Sequence, residues 1–232
     1  MSYRVFTLHK KSSQYAYLSE TSDWLAHNSP VIWNGQPKGQ TWRLPSLYVP
    51  HPERGRWDIA LFLGTGGLIL TQQAHTSLQP WLSHANVELL PVEHSGSQYV
   101  AVNVTAVTDC LDRKHSRIST ASGSIETHAF LPARFEQSLF KLPESLLGTP
   151  YVAEDDARPE WSFKYWVEKH QLKGIDFMLI WDGDAAPGRS VLPPSPAPPS
   201  GPPPPAPADL EVVEATAEGV TLRWRCAAGV DG

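Results

Sequence analysis

The pattern of apolar and polar positions is clearest between residues 67 and 112. A run of three apolar residues predicts a short strand: Leu68, Ile69 and Leu70. The polar sequence Thr71-Gln72-Gln73 then marks the start of a helix, because apolar residues recur after it at steps of three and four. These helical positions are Ala74, Leu78, Trp81 and Leu82.

The pattern changes to that of β-strands after Asn86. Apolar residues between 87 and 92 lead into a turn-rich interval at 93–97. Beyond it come β-branched and aromatic residues, which favour strands. They are Tyr99, Val100, Val102, Val104 and Val107. We therefore predict a strand, a loop and a second strand after the helix, and this is the densest core-forming segment of the chain.

Short strands are predicted on both sides of this segment. They lie at 3–8, 15–18, 57–63, 125–130, 138–142, 151–152 and 175–181. The polar residues 116–124 are predicted to form a strand edge and a turn. Residues 23–56 are rich in Trp, Pro and Gly, a composition that argues against a long helix. We expect the tryptophans of that region to anchor irregular segments to the core.

A second helix is predicted at 154–170, with its regular part beginning near Pro159, since proline suits the first helical position. Its acidic start and its basic end at Lys169 and His170 match the helix dipole. The predicted buried stripe consists of Trp161, Tyr165, Trp166 and Val167.

The composition changes abruptly at Asp182. Eleven of the 22 prolines lie between 187 and 207, which predicts an extended polyproline linker. Residues 209–232 read as two strands and resemble the start of a fibronectin type III module, a sandwich of about seven strands. We expect this tail to be poorly ordered, or a truncated relic.

The predicted fold class is therefore α+β. A domain at 1–185 is expected to contain a mixed, mostly antiparallel sheet and two main helices. A disordered proline-rich linker at 186–208 and a short β-hairpin-like tail at 209–232 follow it.

Charge and composition narrow the function classes. A net charge of -5 argues against a broad basic surface for nucleic acid, and the longest apolar runs are far too short to span a membrane. The first residues lack the apolar region and cleavage site of a signal peptide. Cys110 and Cys226 lie in different predicted segments, so a reducing compartment is the simpler interpretation. We predict a cytoplasmic protein that binds neither nucleic acid nor membrane.

Two patterns suggest ligand chemistry but do not complete a motif. The glycines at 64–67 follow an apolar strand, yet a further strand follows them where a dinucleotide fingerprint needs a helix. A β-turn between strands is the favoured interpretation. The nine histidines show no metal-ligand spacing. The sequence therefore predicts no cofactor and no metal site.

A thiol, carboxylates and an imidazole lie close together between 109 and 116. Cys110 would need a nearby base and a lowered pKa to act as a nucleophile. The alternative, which we favour, is a strand end where carboxylates cap a turn and Cys110 fills the core.

Three blocks of the chain, 69–93, 99–116 and 163–182, resemble a family of immunity proteins from bacterial polymorphic-toxin systems, once known only as a domain of unknown function. The motifs that carry the resemblance are Glu88-Leu89-Leu90-Pro91-Val92, Asn103-Val104, Asp109-Cys110-Leu111-Asp112 and Leu172-Lys173-Gly174 before an aromatic strand. The resemblance covers residues 1–182. The linker and the tail depart from the family pattern.

The resemblance implies a cytoplasmic antitoxin and not an enzyme. Such a protein binds and neutralises a cognate toxin encoded by a neighbouring gene. Acidic residues at the start of the second helix are the expected toxin-binding group, because charge complementarity steers such encounters. They are Glu154, Asp155, Asp156 and Glu160. A solvated helix start is the structural alternative for them.

Two other function classes remain open at this point. One is an enzyme that uses Cys110, or Asp109 and Asp112, with a nearby histidine. The other is an extracellular binding module, which the linker and the fibronectin-like tail suggest but which needs an export route.

Overall fold

The computed structural model describes residues 2–11, 14–20, 33–43, 46–62, 66–184, 210–216 and 219–224. Contacts within the chain divide it into two units, Met1–Pro193 and Pro194–Gly232. The predicted linker at 186–208 lies outside the described residues.

Two helices and antiparallel sheets form the first unit, which confirms the predicted α+β class. The helices are α1 (Gln72–Leu82) and α2 (Phe163–Lys169). The strands are β1 (Tyr3–Lys10), β2 (Ser19–Glu20), β3 (Leu47–Tyr48), β4 (Ile59–Phe62), β5 (Gly67–Thr71), β6 (Val87–His94), β7 (Ser97–Val104), β8 (Arg117–Ile118), β9 (Ile125–Thr127), β10 (Leu139–Phe140), β11 (Tyr151–Asp155) and β12 (Ile175–Asp182).

One sheet joins the beginning of the chain to its later part. Its strand order is β10-β11-β1-β12. Strand β1 pairs antiparallel with β11 on one side and with β12 on the other. The pairing of β1 therefore joins residues 144 to 178 positions apart along the chain, which closes the unit into one body.

The second sheet has the order β4-β5-β7-β6, and its strands β4 and β5 are buried on both faces. Leu68 and Leu70 belong to the core that both helices and the first sheet share, whereas Ile69 belongs to a second core on the opposite face. Because successive side chains of a strand point to opposite faces, a strand buried on both sides is apolar throughout. This explains the continuous apolar runs that predicted β4 and β5.

Described residues of the region rich in Trp, Pro and Gly pack on the second face of this sheet. Trp33 and Trp57 are 3% and 7% exposed and belong to the second core. Trp57 also donates a hydrogen bond to the carbonyl of Ala16 at 2.6 Å. The prediction that the tryptophans of residues 23–56 anchor irregular segments to the core is confirmed for Trp33, which belongs to the second core, and for Trp42, which packs against it; Trp24 lies outside the described residues.

Helix α1 follows the sequence prediction closely. Its buried residues are Ala74, Leu78, Trp81 and Leu82. The Thr71 hydroxyl accepts a hydrogen bond from the backbone N–H of Ala74 at 3.2 Å, which caps the helix N-terminus.

The second helix differs from the prediction in position and length. Glu154 and Asp155 lie in strand β11, not in a helix. A 3-10 turn follows at Pro159–Trp161, and α2 begins after its cap residue Ser162. Phe163 and Val167 are the buried residues of α2, whereas Trp166 is only half-buried.

The glycine-rich sequence at 64–67 connects two antiparallel strands. Strand β4 pairs with β5 from Ile59 opposite Leu70 to Phe62 opposite Gly67. Residues 63–65, which contain the predicted turn, lie outside the described residues. A strand follows the glycines, as predicted, and not the helix that a dinucleotide loop requires.

The second unit contains strands β13 (Leu210–Thr216) and β14 (Gly219–Trp224). They pair antiparallel from Leu210 opposite Trp224 to Thr216 opposite Gly219, with a register shift between Val212 and Glu214. The two strands predicted for this tail are therefore present.

Candidate functional site

Two polar motif residues, Glu88 and Asn103, hold a loop against the second sheet. They face each other on β6 and β7. The Glu88 carboxylate accepts hydrogen bonds from the backbone N–H groups of Lys38 and Gly39, both at 2.7 Å. The Asn103 amide, fully buried, donates to Glu88 and to the carbonyl of Gln36, both at 2.9 Å.

These contacts change the pKa of Glu88. Burial alone would raise it, but the hydrogen bonds from the Lys38 and Gly39 backbone and from Asn103 outweigh burial and lower it. Glu88 and Asn103 therefore hold the loop at 36–39 against the second sheet. We call this pair of residues the loop clamp.

Replacing Asn103 by alanine is expected to lower the free energy of unfolding by about 2 to 3 kcal/mol, because it removes a hydrogen bond to a charged group and empties a buried site. Urea denaturation measures this change. Gln98→Ala is the matched control: its amide lies on the same strand and donates to Glu93 at 3.1 Å, but on the exposed surface. An equal loss in both variants would contradict the loop clamp.

The residues at 109–112 lie at the edge of the core. Asp109 is exposed and forms ion pairs with Arg113 and Arg134 at 2.8 and 3.4 Å. Asp112 accepts a hydrogen bond from the backbone N–H of Lys114 at 3.1 Å and pairs with His115 at 2.6 Å. Its carboxylate therefore caps a turn, as predicted.

Cys110 fills the core, as the favoured interpretation predicted. It is a free thiol with no exposed surface. Burial raises its pKa to about 12, which is the opposite of the shift that activates a nucleophile. The geometry gives the enzyme hypothesis no support at this residue.

Alkylation of Cys110 by iodoacetamide at neutral pH is expected to be at least about a hundredfold slower in the folded protein than in urea, because the folded protein must open before a thiolate forms. Cys226 is first replaced by serine so that the reaction reports one thiol. Mass spectrometry measures the two rates. Similar rates would show a reactive, accessible thiol and would favour the enzyme hypothesis.

His128 is a partly buried imidazole near this region. Its ring stacks on Phe130 with a centroid distance of 5.9 Å, and its Nε2 lies 3.3 Å from the Tyr151 hydroxyl. Burial lowers its pKa from 6.5 to about 4.

This shift makes stability depend on pH. Between pH 6.5 and about 4 the unfolded chain binds a proton at His128 that the folded protein does not, so stability is lost as the pH falls through this range. The loss is at most about 3 kcal/mol. Urea denaturation at pH 7 and pH 4.5 measures it. His128→Gln should lose less stability between these pH values, and an unchanged loss would contradict the assignment.

The four carboxylates predicted to bind the toxin have different environments. Glu154 lies between Arg4 and Lys164, at 3.2 and 3.3 Å. Asp156 is exposed and also pairs with Arg4. Glu160 borders a cleft, and Asp155 pairs with Arg158 of the cleft wall at 2.9 Å.

This cleft has a volume of about 410 Å³, within the range of roughly 300–1,000 Å³ that is usual for ligand pockets. It lies between the end of α1, the residues before β10 and the 3-10 turn. We call it the tryptophan cleft. Its walls are formed by Pro80, Trp81, His84, Ala85, Gln137, Ser138, Arg158, Glu160, Trp161 and Trp166.

Hydrogen bonds fix the indoles of the cleft. Trp81 Nε1 donates to the Ser138 hydroxyl at 3.1 Å and to the Trp161 carbonyl at 3.2 Å. Trp166 Nε1 donates to the Glu160 carbonyl at 2.7 Å. The buried Ser138 hydroxyl also accepts from the backbone N–H of Phe163 at 3.1 Å, which ties the start of α2 to this wall.

Asp155 holds the turn that carries the outer wall. Its carboxylate is fully buried and accepts hydrogen bonds from the backbone N–H of Ala157 at 3.0 Å and from Arg158 Nε at 2.9 Å. Burial would raise its pKa, but these hydrogen bonds outweigh burial and lower it. Asp155 is therefore a structural support of the cleft and not an exposed contact.

Aromatic and basic side chains continue from the cleft over α2. The Lys169 ammonium lies 4.6 Å from the Trp166 ring centroid and 5.5 Å from that of Tyr165. The His170 ring stacks on Trp166 with a centroid distance of 5.9 Å. This surface has the composition of protein interfaces, in which Trp, Tyr and Arg are enriched.

The sequence pattern missed the cleft because it assigned Trp161 and Trp166 to a buried helix stripe. The signal that could have identified them is the sequence Arg158-Pro159-Glu160-Trp161, since a proline between charged residues predicts an exposed turn.

Nowhere in the described part of the chain do three or more His, Cys, Asp or Glu side chains come together in a way that could hold a metal ion. Within the same residues, neither helix has the length and apolar content needed to cross a membrane. Comparison with models of known protein families finds no match, and a search of curated proteins finds no relative of this chain.

Proposed function

We propose that this protein is an immunity protein that acts in the cytoplasm, binding a cognate toxin encoded by a neighbouring gene and blocking it by occlusion. The observation that carries the proposal is the tryptophan cleft. Trp161 and Trp166 are half-buried, and Arg158 and Glu160 are exposed beside them. Partly exposed tryptophans beside an arginine are the side chains that contribute most to binding energy at protein interfaces.

The motif residues support a binding role in a different way. The side chains of Glu88 and Asn103 are used in the loop clamp, and Cys110 is enclosed in the core. These three residues stabilise the fold, and exposed residues elsewhere on its surface can then differ between proteins that bind different toxins. Motifs of this kind are compatible with a family whose members recognise different toxins.

The proposal also revises the expected contact residues. Glu154 and Asp155 are buried and ion-paired, so they stabilise the turn and strand beneath the surface and do not contact the toxin themselves. Glu160 is the one predicted carboxylate that borders the cleft. We propose that Glu160, Arg158 and the two outer tryptophans contact the toxin.

Co-expression with the product of the neighbouring gene tests the proposal. The neighbour alone should stop growth, and this protein should restore growth and co-purify with the neighbour. A chain that ends at Pro193, the limit of the first unit, should protect equally well. A toxic neighbour that is neither bound nor neutralised would overturn the proposal.

A further inference from the structure

One carboxylate of the tryptophan cleft has no counter-charge. Glu160 is exposed, and its side chain makes no ion pair or hydrogen bond with any described residue. The predicted carboxylates beside it differ: Glu154 and Asp156 pair with Arg4, and Asp155 pairs with Arg158. Glu160 is therefore available to a cation from outside.

The fixed charges of the cleft also favour a cation. Arg158 is the cation on its wall, and it lies 2.9 Å from the buried carboxylate of Asp155, which balances it. Asp155 and Arg158 compensate each other, so the Glu160 carboxylate is left unpaired on the cleft wall. Lys169 lies outside this wall, 4.6 Å from the Trp166 ring centroid. A cationic side chain that enters would pair with Glu160, whereas a carboxylate would be repelled by it.

The indoles supply a surface of matching chemistry. The N–H group of Trp166 is already bonded to the Glu160 carbonyl, and the rings of Trp161 and Trp166 are only half-buried, so these two rings offer their π-systems to a ligand. Aromatic faces attract cations, and tryptophan attracts them best. Two such contacts are already present: the guanidinium of Arg158 lies 5.8 Å from the Trp161 ring centroid, and the ammonium of Lys169 lies 4.6 Å from that of Trp166.

We infer that the tryptophan cleft receives an arginine side chain of the partner protein, stacked on the indoles of Trp161 and Trp166 and paired with Glu160. A planar guanidinium can stack on a ring and form two parallel hydrogen bonds to a carboxylate at once, which an ammonium cannot. This inference rests on the proposed function for the identity of the partner, but the cation site is testable without the toxin.

The first test uses short capped peptides, Gly-Arg-Gly and its citrulline and lysine analogues, titrated into the full-length protein. Indole N–H signals in a nitrogen-15 NMR spectrum report the cleft, and Trp42, on the opposite core, is the internal control. The arginine peptide should shift the Trp161 and Trp166 signals in the millimolar range, and Glu160→Gln should abolish the shift. No shift, or an equal shift with the uncharged citrulline peptide, would overturn the cation site.

The second test uses the complex with the neighbour-encoded toxin. Glu160→Gln should weaken binding about tenfold and make it less sensitive to salt. Glu126→Gln, which removes the same charge from strand β9, should leave the affinity unchanged. A toxin that binds tightly but ignores Glu160→Gln would overturn this inference and leave the proposed function intact. A cleft that binds the arginine peptide in a protein with no toxin partner would overturn the proposed function instead.

Discussion

Replacing Trp166 by alanine is expected to weaken the toxin complex by about 2 to 3 kcal/mol, a factor of about 30 to 150 in affinity. The indole forms one wall of the tryptophan cleft and is held by its hydrogen bond to the Glu160 carbonyl at 2.7 Å. Its removal takes away a large contact area and frees the turn that carries Glu160 and Trp161. Isothermal titration calorimetry with the purified toxin measures the change.

Trp42→Ala is the matched control for this prediction. Trp42 is also half-buried, and its Nε1 donates to the Pro91 carbonyl at 3.0 Å. It packs against the second core and does not border the cleft. Its truncation should leave the affinity unchanged once thermal melting has shown that both variants are folded. If Trp42→Ala weakened the complex as much as Trp166→Ala, the cleft would not be the contact surface.

Replacing Gly174 by alanine is expected to destabilise the protein by about 3 to 4 kcal/mol or to prevent folding. Gly174 has φ +122°, and a Cβ atom there would lie 2.0 Å from the carbonyl oxygen of Ile59. The neighbouring Lys173 carbonyl accepts hydrogen bonds from the backbone N–H groups of Asp58 and Ile59 at 2.8 and 2.9 Å. These bonds fix the loop against β4, so it cannot move away from the clash.

Gly96→Ala separates the effect of the clash from that of the backbone conformation. Gly96 also has a positive φ, +74°, but a Cβ atom there would have no neighbour within 4 Å. Its replacement should cost only about 1 kcal/mol, the conformational part. Urea denaturation of both variants measures the difference. Equal, small losses would contradict the close approach of Gly174 to β4.

The central elements of the fold could be predicted from local patterns because their side chains alternate or recur with the period of the element. Helix α1 buries the residues that its spacing predicted, and strands β5 and β7 follow the apolar and β-branched runs. The close approach at Gly174 could not be predicted, since its cause is the backbone of Ile59, far away in the sequence.

The second helix shows why boundaries near Pro159 were harder to predict. The charged residues before it resemble a helix start, because carboxylates favour helix N-termini. They lie instead at the end of β11, where Arg4 pairs with Glu154 and Arg158 pairs with Asp155. The Arg4–Glu154 ion pair joins residues 150 positions apart, so it leaves no pattern in the local sequence. A buried, paired carboxylate therefore cannot be distinguished from a solvated one by its sequence neighbours.

The tryptophan cleft depends on the tertiary structure in the same way. Trp81 comes from α1, Ser138 from the residue before β10, and Trp161 from the 3-10 turn. The spacing of Trp81 and Trp161 in the sequence is that of ordinary core positions, and Ser138 falls in a predicted short strand. Their convergence is fixed by hydrogen bonds from the Trp81 indole to the Ser138 side chain and to the Trp161 backbone carbonyl, which only the folded chain brings together.

Hydroxyl-radical footprinting of the protein, alone and with the neighbour-encoded toxin, tests the central claim most directly. The account predicts that oxidation of Trp161 and Trp166 falls in the complex, while oxidation of the half-buried Trp42 stays the same. Protection of Trp42 with no change at Trp161 and Trp166 would contradict it, because the toxin would then contact the other side of the second sheet.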